Sequence, residues 1–274
     1  MNIIAVQTFL AVVECGNLNK AADRLNVTQS TVSARLDALD AALGQPLLVR
    51  SRRGAQLTRA GFAFRAHAET IVRSWDQARS AVGLPTGFSA LFSFACEVDL
   101  WPSAGRLWFD AARRAHPEIA FEAWPASQDE IKAWLASGLT DAALTTEPFA
   151  GPDLTSTELI VERLIQVSSC PRTAQDWHPD YIYVDHGAKF RRQHSETWSN
   201  EQTASVAYAC GAWALDHLLT EGGSAYLPWP VCKPHLESGR LHRVDGSPEF
   251  TRAIYRIVRT SSQTAFPWVC DMKP

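Results

Sequence analysis

The feature that most constrains this chain is the apolar pattern between residues 17 and 61, where two short amphipathic segments meet at a tight turn. The first segment places small or apolar side chains at Ala21, Ala22 and Leu25, which lets a second helix cross closely. In the second segment the core-facing positions recur with the helical period at Val32, Leu36, Leu39 and Leu43. The residues from Ile3 to Val13 have the same period. This spacing predicts three packed helices that contain a helix-turn-helix.

A basic hairpin is predicted after these helices. Residues 47 to 57 indicate two short strands with a turn at Arg53-Gly54, and Thr58 begins another helix. Arginines at a hairpin tip can reach DNA phosphates or a narrow minor groove. Solubility alone explains any one arginine, but it is a poor account of three beside a polar helix face. The order of elements therefore predicts a winged helix-turn-helix.

The polar face of the third predicted helix is suited to reading DNA. Gln and Arg can contact adenine and guanine edges with two hydrogen bonds, and Ser and Thr suit phosphates or bases. A solvated surface is the alternative for an isolated amphipathic helix, but the tight turn and the basic hairpin favour DNA. The predicted DNA-binding residues are Thr28, Gln29, Ser30, Thr31, Ser33, Arg35, Arg50, Arg52, Arg53 and Thr58.

This segment resembles the DNA-binding domain of the LysR-type transcriptional regulators. The motifs that carry the resemblance are Ala21-Ala22 with Leu25, Thr28-Gln29-Ser30 with Val32-Ser33, Leu39-Asp40, Gly44, Leu47-Leu48, Arg50, and Leu57-Thr58 with Ala60-Gly61. Ala34-Arg35 departs from the more common Arg-Gln and would change the bases that are read, and Asp37 stands where a basic residue is common. The resemblance implies binding to double-stranded DNA at an imperfect two-fold operator, with RNA polymerase as a candidate partner.

Composition divides the chain in the same way. The first 80 residues hold ten Lys or Arg against six Asp or Glu, while the rest of the 274 residues hold sixteen against twenty-three, for a net charge of −3. A basic N-terminal part followed by an acidic remainder is expected if only the N-terminal part binds DNA phosphates. No apolar run approaches the roughly 20 residues that span a bilayer, and the N-terminus does not read as a signal peptide. Six scattered cysteines argue for a reducing compartment, so we expect a cytoplasmic protein without a membrane partner, metal or cofactor.

A long helix is predicted between the two parts. It ends at residues 83 to 87, after apolar side chains at spacings of three and four at Ala60, Phe64, Ala68, Ile71, Trp75, Ala78 and Val82. The family resemblance implies that this linker helix pairs with its twin in a homodimer, or in a homotetramer built from two dimers. Packing on the chain's own effector domain is the alternative. Dimerisation is favoured because proteins that bind two-fold symmetric DNA sites need a rigid spacer between the half-sites.

From residue 88 onward, short apolar strands alternate with helical segments, among them a helix expected over residues 205 to 222. Such alternation indicates an α/β architecture with mainly parallel sheets. The resemblance implies two subdomains like those of a periplasmic binding protein, with crossovers at residues 158 to 161 and 259 to 261. The short tail implies incomplete closure of the first subdomain. The predicted division is a DNA-binding domain at 1-58, a linker helix and hinge at 59-87, and an effector domain at 88-274, with subdomain I at 88-159 plus 260-274 and subdomain II at 160-259.

Loops at the carboxyl ends of strands are the expected effector site. Glu97 and Asp99 in the first such loop would repel an anion, so we expect a neutral or cationic small-molecule effector, with one of these acids as counter-charge. Simple solvation or helix capping by both acids is an equal alternative. The candidate effector-binding residues are Cys96, Glu97, Asp99, Thr145, Thr146, Ser168, Asp185, Arg191, Arg192, His194 and Gly211.

Three other functions compete with this interpretation. An enzyme could recruit His186, His194 and Cys210, but the sequence contains no G-x-S-x-G, Walker, HExxH or GxGxxG motif, so no catalytic residue is predicted. A thiol-redox sensor could use Cys96, although Glu97 beside it would raise the pKa of the thiol. A ligand-independent oligomerisation domain is the third. Residues 181 to 194 and 222 to 244 also resemble a subgroup that includes an enteric repressor of the flagellar master operon.

Overall fold

The computed structural model describes residues 2–51, 54–84, 86–174, 178–198 and 204–273. The chain divides into two compact units, Met1–Thr86 and Gly87–Pro274, and each is described by itself. Within the described ranges, no helix combines the length and the apolar character needed to cross a bilayer.

The first unit is helical with one hairpin. Its elements are α1 (Ile3–Cys15), α2 (Leu18–Arg24), α3 (Gln29–Leu43), β1 (Leu48–Ser51), β2 (Gly54–Leu57) and α4 (Arg59–Val82). The side chains of Asn17 and Thr28 accept hydrogen bonds from the first backbone N–H groups of α2 and α3. Gly16 and Gly44 end α1 and α3 in the left-handed conformation, which glycine adopts without a Cβ clash. β1 and β2 pair antiparallel, as the winged helix-turn-helix requires.

The core of this unit forms where α1, α2 and α3 meet. Val32, Leu36 and Leu39 of α3 are buried there as predicted, but Leu43 is 41% exposed because it lies in the last turn, beyond the packed part of the helix. The apolar stripe of α4 divides in two. Its first half packs on this core, with the ring of Phe64 5.5 Å from that of Phe9. The second half of the stripe is solvent-exposed at Trp75 and Val82.

The second unit is an α/β structure. Its elements are β3 (Ala90–Cys96), a 3-10 turn (Val98–Leu100), a π-helical turn (Trp101–Gly105), α5 (Arg106–Ala115), β4 (Ile119–Pro125), α6 (Gln128–Ser137), β5 (Ala142–Thr145), β6 (Leu154–Ser168), β7 (Ile182–Val184), α7 (Ala188–Thr197), β8 (Val206–Tyr208), α8 (Gly211–Thr220), β9 (Ser224–Pro228), α9 (Trp229–Glu237), β10 (His242–Arg243), β11 (Phe250–Arg259), α10 (Thr260–Ala265) and a 3-10 turn (Pro267–Cys270). β3 pairs in parallel with β4 and β5, and β7 pairs in parallel with β8. The expected helix over 205 to 222 is wrong in its first part, because Val206 and Tyr208 extend along β7 and pack in the core of subdomain II.

Two long strands join the subdomains. β6 and β11 run antiparallel along most of their length, and β11 also pairs with β5 from Tyr255 to Val258. From Leu164 to Ser168, β6 pairs with β9, a strand of the other subdomain. In β11, a register shift between Ile254 and Tyr255 marks the passage from one subdomain to the other. The second crossover between the subdomains therefore lies before the expected residues 259 to 261, because the continuous strand β11, and not a loop, passes from one subdomain to the other.

The end of the described chain closes subdomain I, contrary to the expectation of incomplete closure. The ring of Trp268 packs 4.9 Å from that of Phe92. Trp108 Nε1 donates to the carbonyl oxygen of Met272 at 3.2 Å, and Arg256 donates to the same oxygen at 2.8 Å. Aromatic packing and two side-chain hydrogen bonds therefore cover this end of the core without a long terminal helix.

Candidate functional site

The exposed face of α3 begins at its N-terminus. Gln29 and Ser30 are exposed there, Ser33 is half-buried one turn further, and Asp37 is exposed one turn beyond. Spacings of three and four residues put these side chains on one helix face. The opposite face of α3 packs into the core of the first unit. α3 thus presents a polar N-terminal half of the kind that enters a DNA major groove.

Two of the predicted arginines are engaged within the protein. Arg35 lies on the flank of α3, with Nη1 3.4 Å from Thr8 Oγ1 in α1. Arg50 in β1 donates to Ser33 Oγ at 3.0 Å and lies 2.8 Å from the carboxylate of Asp37. Both guanidinium groups thus have intramolecular partners, and their predicted DNA contacts stay predictions.

The predicted threonines serve as helix caps. Thr28 Oγ1 accepts from the backbone N–H of Thr31 at 3.2 Å and lies 2.8 Å from the Thr31 hydroxyl. Thr58 Oγ1 accepts from the Gly61 N–H at 3.0 Å and donates to the Pro46 carbonyl oxygen at 2.8 Å. Thr58 thus caps the start of α4, and its DNA contact stays a prediction. The predicted DNA-binding residues outside the described part of the chain are Arg52 and Arg53.

A carboxylate lies in the cleft between the two subdomains of the second unit. Asp99, after β3, accepts from the backbone N–H of Gly211 at the start of α8 at 2.6 Å. The same carboxylate forms an ion pair with Arg252 of β11. Its Oδ2 lies 3.2 Å from Nδ1 of His186, whose Nε2 donates to the Tyr226 carbonyl oxygen at 2.8 Å. Asp99 in subdomain I is thereby bonded to subdomain II and to a crossover strand.

The charge of Asp99 is compensated inside the protein. Burial by itself raises the pKa of Asp99, but the hydrogen bond with His186 and the charge of Arg252 outweigh it and lower the pKa to about 2. Arg252 is buried, and its Nε donates to the Glu162 carboxylate at 2.8 Å. Arg252 therefore pairs with Asp99 within the protein, and the role of Asp99 as counter-charge for a cationic effector stays a prediction.

Glu97 is also bonded within the cleft. Its carboxylate accepts from the backbone N–H of Thr146 at 3.1 Å and from the Thr146 hydroxyl at 2.8 Å. Burial raises the pKa of Glu97, and the bonds from Thr146 oppose that effect. Thr145 is buried, and its hydroxyl donates to the Glu147 carbonyl oxygen at 2.8 Å. These bonds join the loop after β3 to the loop after β5.

Two cavities flank this polar network. One, of about 340 Å³, is lined by apolar groups that include Trp101, Pro102, Trp124, Pro125, Cys210 and Trp213. The other, of about 260 Å³, is lined by polar groups that include Thr146, His186, Lys189, Arg192 and Arg252. Gly211 lies between two residues of the apolar wall, whereas His186 and Arg252 belong to the polar wall. The Asp99 network therefore separates the two cavities.

Several other predicted effector residues do not join this site. Asp185 forms an ion pair with Arg191 at 2.7 Å, which fixes the start of α7. The hydroxyl of Ser168 donates to the Cys170 carbonyl oxygen at 2.6 Å, at the end of β6 that pairs with β9. Each of these side chains has a local partner, and their roles in effector binding stay predictions. Arg192, by contrast, does line the polar cavity.

His194 belongs to an aromatic cluster of subdomain II. Its Nε2 lies 2.8 Å from the Tyr181 hydroxyl, and its ring packs 5.3 Å from that of Phe190. Burial lowers the pKa of His194 to about 4. The ring of His194 is held between neighbouring aromatic residues, and its role in effector binding stays a prediction.

Family comparisons agree with this architecture. Residues 3–62 match the family model described as the bacterial regulatory helix-turn-helix protein of the lysR family, and residues 102–267 match the LysR substrate binding domain. The chain belongs to the LysR-type family of transcriptional regulators. This LysR-type protein is thus a DNA-binding transcriptional regulator with an effector-binding domain, which confirms the predicted fold class and function class.

Individual relatives cover nearly the whole chain. The HTH-type transcriptional regulator HdfR of Escherichia coli O17:K52:H18 (strain UMN026 / ExPEC) is 26% identical over 260 residues, which is 94% of this chain and 91% of the relative. HdfR of Yersinia enterocolitica serotype O:8 / biotype 1B (strain NCTC 13174 / 8081) is 28% identical over 249 residues, with coverage of 86% and 85%. These matches confirm the predicted resemblance to enteric regulators.

Solved structures share the fold of this LysR-type regulator. CbnR, a LysR family transcriptional regulator, has a TM-score of 0.75 at 22% identity, covering 96% of this chain and 94% of that chain. Full-length CbnR complexed with its target DNA has a TM-score of 0.72 at 21% identity, with 98% of both chains covered.

Sequence reasoning missed Arg252, although a signal for it was present. Arg252 alternates with Phe250 and Ile254 along β11, and all three are buried. An arginine within a buried alternation indicates a buried acidic partner, because an unpaired internal charge is strongly unfavourable. The tryptophans of the apolar cavity carry no such signal, since nothing in their local sequence distinguishes them from a core tryptophan such as Trp108.

Proposed function

We propose that this LysR-type regulator reads its operator with Gln29 and Ser30 at the N-terminus of α3. The exposure of both side chains on a helix whose other face is fixed in the core carries this proposal. A glutamine amide can form two hydrogen bonds with an adenine edge in the major groove. The backbone N–H groups at the same helix end favour a phosphate. Arg52 and Arg53 of the hairpin add phosphate or minor-groove contacts.

The regulator is proposed to act as a homodimer, or as a homotetramer of two dimers, on an imperfect two-fold operator. Phe64 and Ala68 on α4 are used within their own unit, whereas Trp75 is 47% and Val82 91% exposed further along the same stripe. An apolar helix half of this kind gains by pairing with its twin. Such pairing would set the spacing between two copies of α3.

The cleft of the second unit is proposed to hold the small-molecule effector. It lies between two subdomains, is joined by β6 and β11, and has cavities on both sides of Asp99. We expect the protein to act by binding and not by catalysis, in the cytoplasm where it can reach DNA. RNA polymerase is the proposed partner through which bound regulator changes transcription.

Contacts of Cys96 weigh against the redox alternative. The thiol is buried and donates to the Glu97 carbonyl oxygen at 3.3 Å. Burial raises the pKa of Cys96 far above its ordinary value, and Glu97 raises it further. A buried thiol with a raised pKa reacts slowly with oxidants. The apolar cavity beside it supports a bound ligand over a ligand-independent oligomerisation domain.

The proposed DNA recognition by Gln29 and Ser30 is tested on a DNA site that the full-length chain selects from a random library. Gln29→Ala should cost about 1–3 kcal/mol on the selected site and little on random DNA. Gln45→Ala is the matched control, because Gln45 is exposed beyond the end of α3. Arg52→Ala combined with Arg53→Ala should weaken binding to both DNAs and lower the salt slope. Equal losses on both DNAs for Gln29→Ala would overturn the proposal.

A further inference from the structure

The charged groups at the centre of the cleft satisfy one another. Asp99 is bonded to Arg252, His186 and the Gly211 N–H, and Arg252 is also bonded to Glu162. A ligand carboxylate would need to displace Asp99 from the N–H of α8 and from the buried guanidinium. A ligand cation would need Asp99 to leave Arg252. The polar centre of the cleft therefore offers no uncompensated charge as an anchor.

The larger of the two described cavities beside this centre is aromatic. Trp101 and Trp124 come from subdomain I, and Trp213 comes from the start of α8 in subdomain II. Trp124 is 45% and Trp213 64% exposed, which is unusual for the largest apolar side chain. Pro102 and Pro125 complete much of the wall. A flat ring placed here would contact both subdomains at once.

We propose that the effector of this regulator is an uncharged aromatic molecule that packs against Trp101, Trp124 and Trp213. This inference rests on the proposed function of the cleft as the effector site. The cavity of about 340 Å³ lies at the small end of the range for ligand sites, which is about 300–1,000 Å³. One ring or two fused rings fit that size.

Charge selectivity follows from the wall of the cavity. Its described lining consists of tryptophan, proline, alanine, valine and cysteine, and none of these side chains brings a formal charge. An anion in this space would lose hydration without gaining an ion pair, and a cation would gain only the attraction of the indole faces, because the described lining offers it no carboxylate. A neutral ring loses little hydration and gains stacking against indole faces. Ring size and neutrality, not a charged group, are therefore the features recognised.

Isothermal titration calorimetry on the full-length chain tests this inference with indole and 2-naphthol as neutral probes. Tryptamine and indole-3-acetate carry the same indole ring with a positive or a negative group. We expect the neutral probes to bind and each charged relative to bind at least about tenfold more weakly. Tighter binding of either ion, or no binding of both neutral probes at their solubility limits, overturns the inference.

Two variants locate the site. Trp213→Ala removes a largely exposed side chain from the wall, and Ala212→Leu fills the cavity while keeping every tryptophan. Both should abolish binding of indole and leave the melting temperature within a few degrees of the wild type. Leu107→Ala is the control, because Leu107 is an exposed apolar side chain on α5 outside the lining of the cavity. Indole binding retained in both cavity variants places the probe elsewhere and overturns the inference.

Failure of this inference is distinguishable from failure of the proposed DNA recognition. Selected-site binding is measured on the same protein samples without any probe. Intact selectivity with no neutral aromatic binding overturns the ligand class alone. If the wild-type chain does not distinguish the selected site from random DNA, only the proposed DNA recognition by α3 is overturned.

Discussion

Asp99 and Arg252 form an ion pair across 153 positions of the chain, at the boundary between the two subdomains of the effector-binding unit. The Arg252 side chain is only 3% exposed and faces a second carboxylate, that of Glu162, at 2.8 Å. A buried cation between two acids contributes little net stability, but loss of the cation leaves both acids without compensation. The network therefore works mainly to hold one arrangement of the cleft.

Replacement of Arg252 by methionine should lower the free energy of unfolding by about 3–5 kcal/mol, because Asp99 and Glu162 would lose their buried partner. Urea denaturation followed by tryptophan fluorescence measures this change. Arg243→Met is the matched control, since Arg243 forms a half-exposed pair with Glu249 at 2.8 Å. Its expected cost is below about 1 kcal/mol. Similar losses in the two variants would contradict the buried role of Arg252.

Asp99 should make stability depend on acid pH. Its pKa is lowered from 3.8 to about 2 in the folded protein, so its contribution is complete above the unfolded pKa and is lost as pH falls through the folded pKa. The stability advantage of wild type over Asp99→Asn should therefore shrink by about 2 kcal/mol between about pH 5 and pH 2. Urea denaturation at stepped pH measures it. Asp129→Asn is the control, because the Asp129 carboxylate is 97% exposed, and its stability should change with pH as that of the wild type does. A stability difference between wild type and Asp99→Asn that stays constant with pH would contradict the prediction.

Asp37 is expected to restrain DNA binding. Its carboxylate holds Arg50 at 2.8 Å on the exposed face of α3. Asp37→Asn removes a negative charge and one partner of Arg50, which keeps Ser33 and Asp40, so affinity for random DNA should rise and the salt slope should steepen by up to about one. Fluorescence anisotropy across a salt series measures both. Glu69→Gln makes the same change in net charge on α4 and should have a smaller effect. Equal effects would show that only net charge matters.

Gly61 is expected to tolerate no side chain. A Cβ at this position would lie 2.1 Å from the carbonyl oxygen of Leu47, at the point where α4 starts beside the hairpin. Gly61→Ala should destabilise the DNA-binding unit by about 1–3 kcal/mol or more, because backbone must move to admit the methyl group. Thermal melting followed by circular dichroism measures the loss. Ala66→Ser, on the exposed side of the same helix, should change stability by less than about 0.5 kcal/mol, and an equal tolerance of both changes would contradict the close approach.

Local signals in the sequence predicted the helical unit well. The caps Asn17 and Thr28 and the terminal glycines Gly16 and Gly44 act on backbone groups within a few residues, so short stretches of sequence contain the information. The same stretches did not predict the internal partners of Thr58 and Arg50. A hydroxyl or a guanidinium suits DNA and suits an internal partner equally well, and only the packed structure shows Pro46 beside one and Asp37 beside the other.

The sequence by itself determined most of the order of helices and strands, the polar face of α3 and the acids of the first cleft loop. Tertiary structure alone decided what those acids do. Asp99 meets Arg252 because β3 and β11 belong to one sheet, and it meets Gly211 because α8 begins at the opposite side of the cleft. Backbone conformation depends on neighbours a few residues away, whereas charge compensation depends on side chains that only the completed fold brings within hydrogen-bond distance.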